Sequence, residues 1–254
     1  MQKYFDINEG GFSIRCKLYY EKDIHKLPDI VIATYGFGGN KDNKAVEKFA
    51  GRLTTKYHGY GVLCFDWPCH GKDARNKLHL SECCSYLDLV IRYAREQLHA
   101  ERLYNYASSL GAYITLRYLT EHGSNPFQRI AFRCPALRLY DSMTSNVTED
   151  EWDKLRKGKE ILRGYDRKIS LNQEFFDDLK AHDVSQNDYL DYADSILMLH
   201  GTKDEMAPIK NTREFSDNNV IELIEVENAD HPFSNPACMD FAIQKIITFF
   251  APEA

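Results

Sequence analysis

The segment Tyr-Ala-Ser-Ser-Leu-Gly-Ala-Tyr, Tyr106 to Tyr113, sets two serines between an apolar run and a helical pattern. A serine hydroxyl can act as a nucleophile when it sits on a sharp strand-to-helix turn. Such a turn needs small residues two before and two after the serine, because larger side chains would collide with the adjoining strand or helix. Ser109 has Ala107 and Gly111 at those positions, whereas Ser108 has Tyr106 and Leu110. Ser109 therefore suits the turn and Ser108 does not, with Ala107 adding one methyl where glycine is the usual choice. The plain alternative is that one of the serines only caps the helix that follows.

A serine nucleophile needs a base, and the base needs a carboxylate to orient it. On a strand–turn–helix architecture these follow in the order Ser, Asp or Glu, His. "LMLHGTKDEMAPI" puts Asp204 directly after a strand-like run, and "VENADHPFS" puts His231 after the last one. An aspartate after a strand is ordinarily a turn residue and a lone histidine ordinarily structural. Their joint occurrence in this order is what points to chemistry. The glycine-rich "TYGFGGNKDN", Thr34 to Asn43, lacks G-x-x-x-x-G-K-[ST] and is too short for a dinucleotide fingerprint. It can instead offer the N–H of Phe37 to a developing oxyanion, beside the N–H of Leu110 at a helix start. The chemistry expected is two-step acyl transfer from Ser109 with His231 as base. Activity should rise with pH through the ordinary histidine range, about 6.5.

Other residues carry weaker signals. His70 in "PCHG" ends a strand and can reach a pocket rim, although its loop more readily serves the fold. Cys69 stands beside it but points away. Cys134 in "RCPAL" follows a strand, with core packing as the alternative to lining the site. Trp152, Phe175 and Phe176 could form an apolar lid or pack among themselves. His200 reads as structural.

The elements that must position these groups alternate. "FSIRCKLYY" alternates as an antiparallel strand, while "DIVIATY", "YGVLCFD", "RLYNYA", "QRIAFRC", "DSILMLH" and "VIELIEV" read as strands, the first two as runs buried on both faces. Helical patterns lie between them over "KAVEKFAGRLTTKY", "LSECCSYLDLVIRYAREQLH", "LGAYITLRYLTEHG" and "CMDFAIQKIITFF", with Ser81 as an N-cap and Gly123 as a C-terminal stop. This repetition predicts an α/β fold with a doubly wound, mostly parallel sheet. The stretch 137–193 is charged, helical in pattern and too long for a plain loop. It is expected to be an inserted helical cap, with the core domain formed by 1–136 and 194–254. No repeat or low-complexity segment interrupts the pattern.

Composition narrows the rest. The chain has 254 residues, 43% hydrophobic, and a net charge of −6 without a Lys/Arg-rich run, which argues against nucleic acid and anionic membranes as partners. No apolar stretch is long enough for membrane insertion, and the N-terminus lacks the apolar core of a signal peptide. Seven cysteines, odd in number, irregularly spaced and without C-x-x-C, argue against a disulfide framework and a zinc site. A cytoplasmic protein is expected.

Taken together, "YGFGG", "FDWPCHGKD", "ASSLG", "HGTKDEMAP" and "ADHPF" resemble the α/β-hydrolase superfamily over nearly the whole chain. The combination of Gly-Phe-Gly-Gly-Asn with Ala-Asp-His-x-Phe is most similar to small bacterial carboxylesterases, including cinnamoyl (feruloyl) esterases. The resemblance implies Ser109, Asp204 and His231 as catalytic triad and Phe37 and Leu110 as oxyanion donors. Tyr35 stands where that family usually has histidine, and is expected to alter the pocket floor. With Tyr35, the candidate substrate contacts are His70, Cys134 and Trp152. The substrate expected is a small-molecule ester with a small to medium, even hydroxycinnamoyl-type, acyl group. No cofactor or metal is expected, and a homodimer is left open. A serine aminopeptidase or thioesterase with the same triad is the runner-up, and a receptor-like binding module the alternative of another class.

Overall fold

Runs of β-branched and aromatic residues bounded by turns form strands, and the ones buried at every position mark the middle of a sheet. In the computed structural model, which describes residues 1–164 and 167–251, such strands include β3 (Asp29–Thr34), β4 (Tyr60–Phe65) and β9 (Ile196–Gly201). The remaining sheet strands are β1 (Gln2–Glu9), β2 (Phe12–Tyr19), β5 (Arg102–Ser109), β6 (Arg129–Pro135) and β10 (Glu222–Val226). Among the described residues these eight form one sheet in the order β1-β2-β4-β3-β5-β6-β9-β10. The pairs β1–β2 and β2–β4 are antiparallel and the other pairs parallel. This is the mostly parallel, doubly wound α/β sheet that the alternation predicts. Residues 165, 166 and 252–254, part of the expected cap and core spans, lie outside the described residues.

The crossovers between parallel strands are helical. They are α1 (Lys44–Lys56), α2 (Leu80–Glu96) and α3 (Leu110–His122), and α7 (Ile209–Asn219) and α8 (Pro236–Phe250) close the fold. Helix α1 packs with α8 and α2 with α3, giving layers on the sheet. Gly123 ends α3 at φ 62°, as its sequence position predicts. Ser81 does not cap α2. That helix begins one residue earlier, at Leu80, and its N-cap His79 makes no side-chain cap bond. The chain runs from β3 outward to β4, then returns past β3 to β5. Ligands of such sheets bind beyond the strand ends at that reversal, and there β3 leads to Tyr35 and Gly36 while β5 ends at Ser109. No helix among the described residues is long and apolar enough to cross a membrane.

Between β6 and β9 the chain forms α4 (Leu139–Thr144), α5 (Glu149–Arg156), β7 (Ile161–Arg163), β8 (Ile169–Leu171), α6 (Gln173–Ala181) and two short 3-10 turns. The expectation of a wholly helical segment is corrected here, since β7 and β8 pair antiparallel. Three-residue strands are too short for alternation to announce them, and this pair is held from outside. The Ser170 N–H donates to Asn76 O at 2.7 Å, and the Leu78 N–H to Ser170 O at 3.2 Å. Arg167 donates to the carbonyls of Cys69, Gly71, Asp73 and Arg75, one guanidinium serving four backbone acceptors. On the other side, both guanidinium NH2 groups of Arg163 bond the carboxylate of Glu151, each at 2.8 Å, tying β7 to α5.

Candidate active site

Strand β5 passes into α3 at Ser109 without an intervening loop. The turn forces Ser109 to φ 52° and ψ −117°, a conformation that costs a non-glycine residue about 1–3 kcal/mol. The steric rule about its neighbours is visible in atoms. A Cβ on Gly111 would lie 2.5 Å from Thr34 Oγ1, and one on Gly36 would lie 3.0 Å from Ser109 Cβ. Ala107 is buried and pairs with Thr34 across the β3–β5 ladder. Ser109 occupies the N-cap position of α3 yet makes no side-chain cap bond. Its hydroxyl lies 3.0 Å from His231 Nε2 instead.

His231 sits between β10 and α8, and its Nδ1 is 2.6 Å from Asp204 Oδ2. The two loops are laced together. The Lys203 N–H donates to Ala229 O at 2.9 Å, the Thr202 N–H to Val226 O at 3.1 Å, and a Cβ on Gly201 would collide with Ala229 O. Asp204 Oδ1 accepts from the N–H groups of Met206 and Ala207 at 2.9 and 2.8 Å. Its Oδ2 is also 3.1 Å from Nε2 of the wholly buried His200. Burial works to raise the Asp204 carboxyl, but the hydrogen bonds from His200 and His231 outweigh it and hold the group well below the usual carboxylate range. The three side chains inferred from the tight turn, the chain order and the strand ends are thus in contact, hydroxyl to imidazole to carboxylate.

Gly36 lies against Ser109, so the glycine-rich loop that carries Phe37 runs past the start of α3. Leu110 is the first residue of α3, so its N–H is one of the donors a helix start leaves unpaired. Beneath this loop Asp66 Oδ1 accepts from the Lys41 N–H at 2.7 Å and from the Tyr35 hydroxyl at 3.2 Å.

The expected substrate contacts fare differently. Tyr35 is buried and its hydroxyl is spent on Asp66 and on the N–H of Trp67, so it supports the loop from below instead of flooring an open pocket. His70 is wholly buried. Its Nδ1 donates to Pro68 O at 2.8 Å, and its ring stands edge-on to Phe37 with centroids 5.7 Å apart. Burial pushes its pKa down to about 4 despite the Pro68 bond, so the ring is neutral. It backs the oxyanion loop and does not reach the rim. Cys134, at φ 46°, is buried behind Asp204, its thiol pushed up by burial. The donor atoms of Cys134, His200 and Asp204 lie within 4.8 Å of one another. The nitrogens and oxygens among them already have hydrogen-bond partners, so the cluster serves Asp204 rather than an ion. Trp152 packs on Phe176 in the segment between β6 and β9, ring centroids 5.5 Å apart.

Two supports escaped the sequence reading. Arg133, buried on β6, donates from its guanidinium to His231 O at 3.1 Å and to the Tyr106 hydroxyl at 3.2 Å, and lies over the Phe233 ring at 5.3 Å. An arginine in the interior of the apolar run "RIAFRCP" was the available signal, because a buried charge must have partners. Cys69 is the other. It takes φ 65°, a backbone region that glycine ordinarily fills, while its N–H donates to Asp73 Oδ2 at 2.8 Å.

The comparisons with known proteins agree with this architecture. The model of the family described as serine aminopeptidase, S33, matches residues 30–159. A putative hydrolase from Agrobacterium vitis S4 superposes with a TM-score of 0.77 at 17% identity, covering 99% of each chain. Est1E from Butyrivibrio proteoclasticus, solved with ferulic acid bound, gives 0.74 at 16% identity over 96% of this chain and 97% of its own. A monoacylglycerol lipase from Paleococcus ferrophilus gives 0.64 at 18% identity over 94% and 98%. At these identities the likeness speaks for the fold, which is that of the α/β-hydrolases. No curated protein matches the chain in sequence.

Proposed function

The chain belongs to the serine aminopeptidase S33 family of α/β-hydrolases, and from that premise we propose that it cleaves carboxylic esters through an acyl-enzyme on Ser109. The observation that carries this reading is the unbroken chain from Ser109 Oγ to His231 Nε2 at 3.0 Å and from His231 Nδ1 to Asp204 Oδ2 at 2.6 Å. Ser109 attacks the ester carbonyl as His231 takes its proton at Nε2. Asp204 holds the imidazole in the tautomer with the proton on Nδ1 and stabilises the imidazolium once formed. The negative charge on the former carbonyl oxygen is met by the N–H groups of Phe37 and Leu110, each such donor being worth roughly 10²–10³ in rate. The imidazolium then protonates the departing alkoxide. Water, deprotonated by the same histidine, hydrolyses the acyl-enzyme.

The acyl group proposed is small to medium, with hydroxycinnamoyl among the candidates, in keeping with the ferulic acid held by the structurally similar Est1E. The family description favours one competing reading, hydrolysis of an N-terminal peptide bond by the same groups. A panel of nitrophenyl esters of increasing acyl length, methyl hydroxycinnamates and aminoacyl anilides separates the two. Ester turnover, reduced about 10³-fold or more in Ser109→Ala, is the expected result. Anilide cleavage in place of ester cleavage selects the peptidase, and full ester turnover in Ser109→Ala refutes the mechanism.

A further inference from the structure

One oxygen of Asp204 meets two imidazoles. Oδ2 lies 2.6 Å from His231 Nδ1 and 3.1 Å from His200 Nε2. His200 Nε2 is also 2.7 Å from the carbonyl oxygen of Ala207, and its Nδ1 is 2.8 Å from Thr212 Oγ1. With Asp204 ionised, both neighbours of Nε2 are acceptors only, so Nε2 carries a proton. Thr212 can then donate its hydroxyl hydrogen to Nδ1 and fix that tautomer. The two rings therefore approach one oxygen in opposite tautomers, His231 from Nδ1 and His200 from Nε2. His200 is fully buried, so it cannot touch a substrate.

We infer that His200 is a positioning residue for the proton relay: its Nε2–H, which bonds Ala207 O and faces Asp204 Oδ2 at 3.1 Å, with the tautomer fixed by Thr212, keeps Oδ2 aimed at His231. The inference rests on the function proposed above. Its physical basis is that Asp204 Oδ1 is pinned by two backbone N–H groups, whereas the other group on Oδ2, His231, keeps its Nδ1 proton but switches between neutral and charged as Nε2 gains and loses a proton during the cycle. A neighbour whose charge does not change keeps the carboxylate in one orientation through both half-reactions. It also withdraws electron density from Oδ2, which weakens that oxygen's pull on the His231 Nδ1–H. The groups facing this pair are known. Cys134 and Arg133 come from β6, Thr212 from α7 and His231 from the loop before α8, and Glu225 lies opposite His200 in the β9–β10 ladder, paired with Arg213. Burial pushes the Cys134 thiol up, and the hydrogen bond from Arg213 holds Glu225 below the usual carboxylate range, so neither changes charge where histidines titrate.

The test compares His200→Leu, which removes the donor, with His200→Gln, whose side-chain amide can replace Nε2–H, and with Thr212→Val, which keeps His200 but frees its tautomer. Each is assayed on nitrophenyl acetate from pH 5 to 9, beside thermal melts and Ser109→Ala. The leucine variant should lose roughly 10- to 100-fold in kcat with KM within about twofold, and the acid limb of its pH profile should move to higher pH by about half a unit or more. Glutamine should recover most of both effects, and Thr212→Val should shift the limb the same way by less. A folded leucine variant with the parental profile, or a glutamine variant as impaired as leucine, overturns the inference. If leucine prevents folding, a parental profile in Thr212→Val overturns it and a shifted one upholds it. Loss of turnover in Ser109→Ala keeps the function intact whatever His200 does. Retention there refutes the function and this inference with it.

Discussion

Two strand ends flank Ser109, and each carries an aspartate and a histidine four residues apart: Asp66 and His70 after β4, and His200 near the end of β9 with Asp204 in the loop that follows. Each also has a glycine packed where a Cβ would collide, Gly71 on Asp66 and Gly201 on Ala229 O. The wiring differs. After β9 both nitrogens of the histidine and both oxygens of the carboxylate are bonded, and the pair feeds into His231. After β4 the histidine turns Nδ1 to Pro68 O, its Nε2 is buried without a hydrogen-bond partner among the described residues, and the carboxylate serves the oxyanion loop through Lys41 and Tyr35. The same residue types at the same spacing thus build a relay on one side and a scaffold on the other. Hydrogen-bond partners decide which, and those partners come from distant parts of the chain.

The contrast can be broken by exchange of charge. Asp204→Asn should lower kcat by about 10³–10⁴-fold, because an amide cannot stabilise the imidazolium. Asp66→Asn should stay within about tenfold. Equal losses in steady-state turnover would erase the distinction. Acid stability sharpens it next. Unfolded His70 takes up a proton near the ordinary value of about 6.5, but folded His70 only near about 4. Between these values the unfolded chain binds more protons, so His70 costs stability as pH falls, about 3 kcal/mol by the lower end. His70→Phe should flatten the decline in urea-measured stability from pH 6.5 to 4 relative to the parent, and an unchanged slope would count against a buried neutral His70. Gly71→Ala combines a strained φ of 56° with a clash on Asp66, and should cost about 1–3 kcal/mol in the same titration. The smallest change is Tyr35→Phe, which removes the hydroxyl between Asp66 and the Trp67 N–H. About 1–2 kcal/mol of stability should go, with KM close to that of the parent because the ring does not meet substrate.

Much of the site was legible because its requirements are local. The small residues at 107 and 111 report the tight turn directly, and a Cβ at Gly111 would indeed meet Thr34 Oγ1. Asp204 follows a strand with a continuous apolar run and His231 follows the last strand-like run before the closing helix, so their placement after strands could be read along the chain. Side-chain direction was not legible, and for His70 and Cys134 the packing alternative is the one the fold takes. Tyr35, His70 and Cys134 are near the site in sequence logic, yet the fold turns all three inward. The β7–β8 pair was missed because three-residue strands carry no periodicity and because Arg167 and the 76–78 segment hold them from elsewhere.

The sequence by itself determined the alternation of strands and helices, the tight turn at Ser109 and the order of nucleophile, acid and base. Periodicity and residue size are properties of neighbours along the chain, and they need no fold to be read. Only the tertiary structure decided that His200 lies against the aspartate while His70 turns to Pro68 O. It also decided that a buried Arg133 holds the histidine loop and that one arginine gathers four carbonyls of another segment. A buried polar atom must take whichever partner the packing brings within about 3 Å. That choice is made in space, among groups far apart in the chain.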